Sequence, residues 1–169
     1  AGLLNHWEHK GPAEIPEKKR HMFRLLAWQA RQRGITIACP PAHPFNPLPV
    51  LRLTIALGAT VPVVRTIFDF IWREGRSIDD ERAALWEALG VRDADALVTD
   101  EVKAALRRNG EDAITAGVFG VPTFVVGRDL FWGEDATGLL RDYLRDPRLF
   151  DTPEMRRIDT LPVAALRRS

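Results

Sequence analysis

Cysteine is almost missing from this chain: Cys39 is the single one among 169 residues. An internal disulfide, a C-x-x-C redox pair and the paired-cysteine zinc motifs are all excluded, and a reducing compartment is the simplest home. An excess of either charge is missing too. Lys plus Arg number 24 against 23 Asp plus Glu, a formal charge of +1, so there is no basic footprint for nucleic acid or an anionic membrane. Long apolar runs are also lacking. The longest, Leu53 to Val64, has 12 residues, is closed by Arg52 and Arg65, and contains Gly58 and Pro62. That is too short for a bilayer. No stretch at the start has the basic-then-apolar layout of a secretion signal. The expectation is a soluble, cytoplasmic protein without a nucleic-acid, membrane or metal partner.

What is present suits a globular domain. Hydrophobic residues make up 46% of the chain, which excludes general disorder, and a chain near this size buries roughly two thirds of its unfolded surface. The start, "AGLLNHWEHKGPAEIP", has no helical period and reads as extended chain and loop. Residues 17–33 carry a helical pattern stopped by Gly34, and "ITIAC" reads as a short strand. "PPAHPFNPLP" packs five prolines into ten residues, a stiff connector.

Helical signals follow one another from there. Pro47 to Leu57 is one helix, and Thr60 is placed to cap the next. In that next helix Val64, Ile67, Phe68, Ile71 and Trp72 keep the i, i+3, i+4, i+7, i+8 spacing. Ser77 with Asp80 resembles a capping box, and Asp93–Leu97 and Asp100–Arg108 are further helical stretches. At Thr123 the period changes. "TFVV" and "DLFW" are joined by Gly127-Arg128, the length of a tight antiparallel hairpin. Ala136, Leu139, Leu140, Tyr143 and Leu144 then form an apolar helical stripe, and the tail beyond Pro147, rich in proline and arginine, reads as an arm. The order predicts an α/β fold whose small sheet is interrupted by a large all-α insertion.

The segment "FGVPTFVVGRDLFWGED" raises a chemical question, because proline at the head of a strand has no donor for a ladder. With a cis Val121–Pro122 bond, Val121 would turn its own N–H and C=O outward, where an extended peptide could take both by strand addition. A helix opening at Gly133-Glu134-Asp135 would bring its positive end near a carboxylate, while the Asp135 side chain could hold an ammonium group. Together these describe a site for a small zwitterionic peptide such as glutathione. Each piece also has an ordinary structural reading: Gly-x-Pro as a turn, and Asp135 as a helix cap.

"GVFGVPTFVVGRDLFWGED" resembles the C-terminal half of the thioredoxin-like fold in 2-hydroxychromene-2-carboxylate isomerases, which belong with the kappa-class glutathione transferases and the wider DsbA-like group. "LLNHWEHKGPAEIP" and "PPAHPFNPLP" resemble that isomerase branch in the expected order, so the likeness spans about residues 1–146. It implies the end of an N-terminal thioredoxin half with its loop at 1–16, the helical insertion at 17–117, the C-terminal ββα half at 118–146, and an arm at 147–169. It implies glutathione as cofactor, held by Val121 beside Pro122 and by Trp132, Gly133, Glu134 and Asp135. Asn46 would touch a small aromatic keto-acid substrate, with Asn5 and Lys18 as weaker candidates, and the protein would be a homodimer.

The bland readings stand beside these. Asn46 is a good N-cap before Pro47, Lys18 a solvated helix charge, Cys39 a small buried apolar residue, and His43 a lone histidine without a visible partner. The family's fold opens with a βαβ unit whose first helix starts at a serine that bonds the glutathione sulfur. This sequence has no counterpart, "AGLL" resembles the tail of the second strand, and the expectation is a remainder of a longer polypeptide.

The activity implied is a glutathione-dependent cis–trans isomerisation in aromatic catabolism, interconverting 2-hydroxychromene-2-carboxylate and trans-o-hydroxybenzylidenepyruvate through reversible addition of the thiolate. The alternatives are a kappa-class-like transferase using the same thiolate, a DsbA-like oxidoreductase, disfavoured without a C-x-x-C motif, and a non-catalytic helical module. Phe68 and Trp72 are candidate pocket walls, though helical spacing suits them to core packing.

Overall fold

A computed structural model describes residues 2–165. The chain forms two compact units, Ala1–Ile114 and Thr115–Ser169. The first is helical. Helices α1 (Gly2–His6), α2 (Pro16–Gln32), α3 (Leu48–Ala56), α4 (Val61–Phe68), α5 (Arg82–Ala88) and α6 (Ala94–Leu97) precede the long α7 (Asp100–Thr115). The second holds strands β1 (Thr123–Val126) and β2 (Asp129–Trp132), then α8 (Thr137–Arg145) and α9 (Pro153–Ile158).

Two apolar clusters hold the first unit together. Val50, Ile67, Phe70, Ile71, Ile78 and Leu85 form one, and Leu53, Val91 and Ala94 form the other. Trp86 and Leu89 pack against both, joining α5 to α3 and α6. Leu53 and Leu85 are fully enclosed, each contributing about 1.5–3 kcal/mol by transfer from water. No described residue in either cluster is polar.

Several expectations need correction. The opening residues are not extended chain or the end of a strand: residues 2–6 are helical, with Trp7 N–H bonded to the Leu3 carbonyl at 3.0 Å and His9 N–H to that of Leu4 at 2.8 Å. Without a ladder partner, these backbone groups satisfy one another within a turn. "ITIAC" is not a strand for the same reason. It carries an isolated bond from Ala38 N–H to the Trp72 carbonyl, 2.8 Å, and no ladder. Cys39 is exposed, not buried. In α4 the regular helix gives way at Asp69–Arg73 to a π turn, with Glu74 N–H reaching back to Asp69. Ile67 and Ile71, on either side of the junction, are buried as the spacing predicts, but Phe70 is buried at 3% exposure whereas Phe68, expected inside, is 59% exposed on the outer side of α4.

The helix starts show the same interplay. Thr60 occupies the N-cap of α4 but its side chain makes no capping bond; Pro62, at the second helical position, has no N–H to offer. Ser77 Oγ accepts from Asp79 and Asp80 N–H at 3.3 and 3.1 Å, while the Ser77 N–H in turn donates to the Glu81 carboxylate, 3.2 Å, rather than to Asp80. Helix α7 runs on to Thr115, well beyond Arg108 and through Gly110.

In the second unit β1 and β2 pair antiparallel with Val126 opposite Asp129 and Thr123 opposite Trp132. Phe131 is 1% exposed. It packs against Tyr143 of α8, ring centroids 5.2 Å apart, and stacks on Phe150 at 5.9 Å. The residues after Pro147 are therefore not a loose arm throughout: a 3-10 turn at Pro147–Asp151 puts Phe150 into this core. The Tyr143 hydroxyl donates to Asp129 at 2.7 Å, and that bond holds its pKa above the ordinary value. Both faces of β1 reach solvent, since Phe124 and Val125 are half exposed.

Gly110 sits mid-helix, exposed, and a Cβ there would meet nothing within 4 Å. Gly110→Ala should therefore raise stability by about 0.5–1 kcal/mol through lowered unfolded-chain entropy. Urea unfolding of both proteins checks this; an unchanged or lowered midpoint would show that α7 does not persist through residue 110 in solution.

Candidate functional site

The hairpin's short connection decides which backbone groups face outward. A two-residue turn makes Val126 and Asp129 a hydrogen-bonded pair, and such pairs alternate with non-bonded ones along an antiparallel ladder. Phe124 with Phe131 is the next bonded pair, and Pro122 with Gly133 the one after. The Gly133 N–H indeed reaches the Pro122 carbonyl at 2.9 Å, extending the ladder past the strand ends. Val121, Thr123 and Val125 therefore turn their amides and carbonyls to the other side. No described group bonds to the N–H or C=O of Val121, which is 77% exposed. The Val121–Pro122 peptide bond is cis.

Around that free edge the side chains are organised. The Trp132 indole lies against Gly120, where any Cβ would collide with its ring nitrogen. Phe119 meets the same indole edge-on, centroids 5.2 Å apart. Thr123 Oγ1 donates to the Gly120 carbonyl at 2.7 Å, closing the turn before β1. Phe119, Val121 and Trp132 are thus exposed apolar surface beside unpaired backbone donors and acceptors.

After Trp132 the chain turns rather than starting a helix. Gly133 has φ of 89°, a conformation that a side chain disfavours, and a Cβ there would strike Asp135 Oδ1. The Thr137 N–H and hydroxyl both donate to the Glu134 carbonyl. The helix opening expected at 133–135 therefore falls later: α8 begins at Thr137 with Ala136 as N-cap, and no side chain caps it. Asp135 precedes this end and makes no hydrogen bond or ion pair among the described residues. Val121, Pro122, Trp132, Gly133, Glu134 and Asp135 thus share one turn-and-edge assembly.

Asn46, Lys18 and Asn5 lie in the first unit. Asn46 Oδ1 accepts from Leu48 N–H at 3.1 Å, so it caps the start of α3 from one residue before the N-cap, and its amide NH2 has no partner among the described residues. Lys18 is exposed on α2. The lysine that reaches the proline-rich connector is its neighbour Lys19, whose ammonium donates to the His43 carbonyl. Asn5 is exposed in α1, with its carbonyl accepting from Glu8 N–H at 3.3 Å. Sequence reasoning passed over Lys19; its half-buried place on α2 came from packing that Lys18 lacks.

His43, without a visible partner in the sequence, sits in an aromatic surround. Phe23, Phe45 and Trp72 meet its ring at 5.3, 5.7 and 5.4 Å, and its Nδ1 is buried without a hydrogen bond. Among the described residues no group of His, Cys, Asp and Glu could hold a metal ion, and no helix is long and apolar enough to cross a membrane.

This arrangement belongs to a known class. The chain is a member of the DsbA-like thioredoxin domain family, whose model matches residues 2–145. Its fold is accordingly thioredoxin-like and α/β, mostly helical, with a small two-stranded sheet. Among characterised relatives it is similar to glutathione S-transferase kappa 2 of Caenorhabditis elegans, 28% identical over 170 residues, spanning 87% of this chain and 76% of that protein. Among solved structures it is similar in fold to a 2-hydroxychromene-2-carboxylate isomerase, with a TM-score of 0.65, 23% identity, and coverage of 90% of this chain and 75% of that one.

Burial foremost, and the Lys19 cation next, hold the His43 pKa below its ordinary value of about 6.5. The folded chain favours the neutral ring, so the unfolded state takes up its proton first. This site's stability is complete above the unfolded pKa and falls as pH drops through it, levelling below the lower folded pKa. Urea midpoints of the wild type should exceed those of His43→Gln by a margin that shrinks between about pH 7.5 and pH 5. A pH-independent margin would contradict this reading.

Proposed function

We propose that this chain serves a glutathione-dependent cis–trans isomerase that interconverts 2-hydroxychromene-2-carboxylate and trans-o-hydroxybenzylidenepyruvate. The observation that carries the reading is the unpartnered backbone of Val121, one N–H and one C=O at an open hairpin edge. An extended peptide needs that pair to dock as an added strand. The names of the two relatives support the cofactor and the reaction class respectively.

The residues fit the tripeptide. Val121 would bind its backbone, and Asp135, without a partner among the described residues, would hold its ammonium group, aided by the turn through Trp132, Gly133 and Glu134. The uncapped start of α8 would favour a carboxylate. Bound glutathione would supply a thiolate that adds reversibly to the conjugated double bond and so permits rotation. Phe119 and Trp132 would give apolar cover. Asn46 would offer its unpartnered NH2 to the keto acid while its carbonyl oxygen keeps capping α3, with Lys18 and Asn5 as further polar contacts. The helical part, 17–117, acts in this scheme as the insertion of a thioredoxin-like domain whose C-terminal half is 118–146, and the protein works as a cytoplasmic homodimer.

A transferase reading is favoured by one observation, the likeness to the kappa-class enzyme over most of the chain. The two differ in a measurable respect, since isomerisation leaves the glutathione concentration unchanged and conjugation consumes it.

Calorimetric titration with glutathione tests the docking. Val121→Ala keeps both backbone groups and should bind as the wild type does. Val121→Pro removes the N–H and Asp135→Asn the ammonium's counter-charge, and each should weaken binding by about tenfold, the effect of one or two kcal/mol. Absence of binding by the wild type, or full affinity in both weakening variants, would refute the proposal.

A further inference from the structure

The first unit contains a second feature, distant in the sequence from the hairpin and independent of the glutathione reading. Between α3, the start of α5 and the turn before α6 lies a cleft of about 380 Å³, within the size range of small-molecule sites. Three arginines line it, Arg52, Arg82 and Arg92, together with the Trp86 ring and the carboxylates of Asp93 and Asp95.

The arginines are under-used. Arg52 Nε is buried and has no hydrogen-bond partner. A guanidinium keeps its charge at any working pH, and a buried donor left unpaired is costly. Arg92 makes no hydrogen bond or ion pair among the described residues, and Arg82 has a single long contact, 3.8 Å, to Asp79. The two acids do not neutralise them. Asp93 Oδ1 is occupied by Ala96 N–H at 3.0 Å as the cap of α6, and no described ion pair joins Asp93 or Asp95 to a cleft arginine. Three fixed cations therefore face two carboxylates, one of them committed to the backbone.

We infer that this cleft binds a small organic anion, its carboxylate or phosphate oxygens on Arg52 with Arg82 and Arg92 flanking, and its flat apolar part against Trp86. Guanidinium forks match planar or tetrahedral oxyanions through paired charge-assisted bonds. An anion in the open cleft would take up the terminal guanidinium nitrogens, which make no hydrogen bond among the described residues, and the indole gives an unsaturated body a face to lie on.

The test is calorimetric titration of the full chain at constant ionic strength, with inorganic phosphate in one arm and benzoate in the other. Saturable one-site binding is expected in at least one arm, and the stronger arm identifies the oxyanion. Arg52→Met should weaken it about tenfold or more. Arg92→Ser, an exposed position that leaves folding intact, should weaken it measurably, and Arg108→Ser on α7, outside the cleft, should leave it unchanged. No saturable binding in either arm would overturn the inference, as would wild-type affinity in Arg92→Ser together with a folded Arg52→Met. Equal weakening in Arg108→Ser would do the same, by showing general charge attraction instead of a site.

Discussion

The hydrogen bond from Gly133 N–H to the Pro122 carbonyl is the contact on which the candidate site depends. It adds one pair to the ladder beyond the ends of β1 and β2, and so continues the alternation set by the two-residue turn. With Pro122 facing Gly133, its neighbour Val121 can only face away. Proline contributes a carbonyl and no donor, so this pair closes through one bond where others close through two. The free edge at Val121 is thus a consequence of register, and the exposure of its side chain is secondary.

The surrounding core keeps that register in place. Phe131 is the buried member of β2, held between Tyr143 and Phe150. Because side chains alternate along a strand, burying Phe131 turns Trp132 to the other face, where it covers Gly120 and meets Phe119. A one-residue slip would bury the indole and expose the phenyl ring. The first unit is held by a different logic, in which Trp86 links two apolar clusters and leaves one part of its surroundings to the arginine cleft.

Much of this was legible in the linear sequence because its causes are local. Gly127-Arg128 between two β-branched and aromatic runs marks the hairpin, and Asn46 before Pro47 marks a helix start, which the bond to Leu48 N–H realises one residue later than expected. What escaped reading depends on partners far along the chain. "ITIAC" has the composition of a strand but nothing to pair with, and Phe68 keeps the helical spacing of a core residue yet lies where no other described element covers it. Lys18 and Lys19 are indistinguishable by type, and tertiary contact with the connector separates them. Arg52, Arg82 and Arg92 are scattered over three elements and no spacing rule connects them.

By itself the sequence determined the succession of a helical block, a hairpin and a following helix, the lack of any cysteine pair and the turn residues around Val121, since each follows from backbone preference or composition within a few neighbouring positions. Tertiary structure alone decided which residues are hidden, where α8 opens, and which cations meet in a cleft. Those outcomes are set by the packing of surfaces that the linear chain keeps apart.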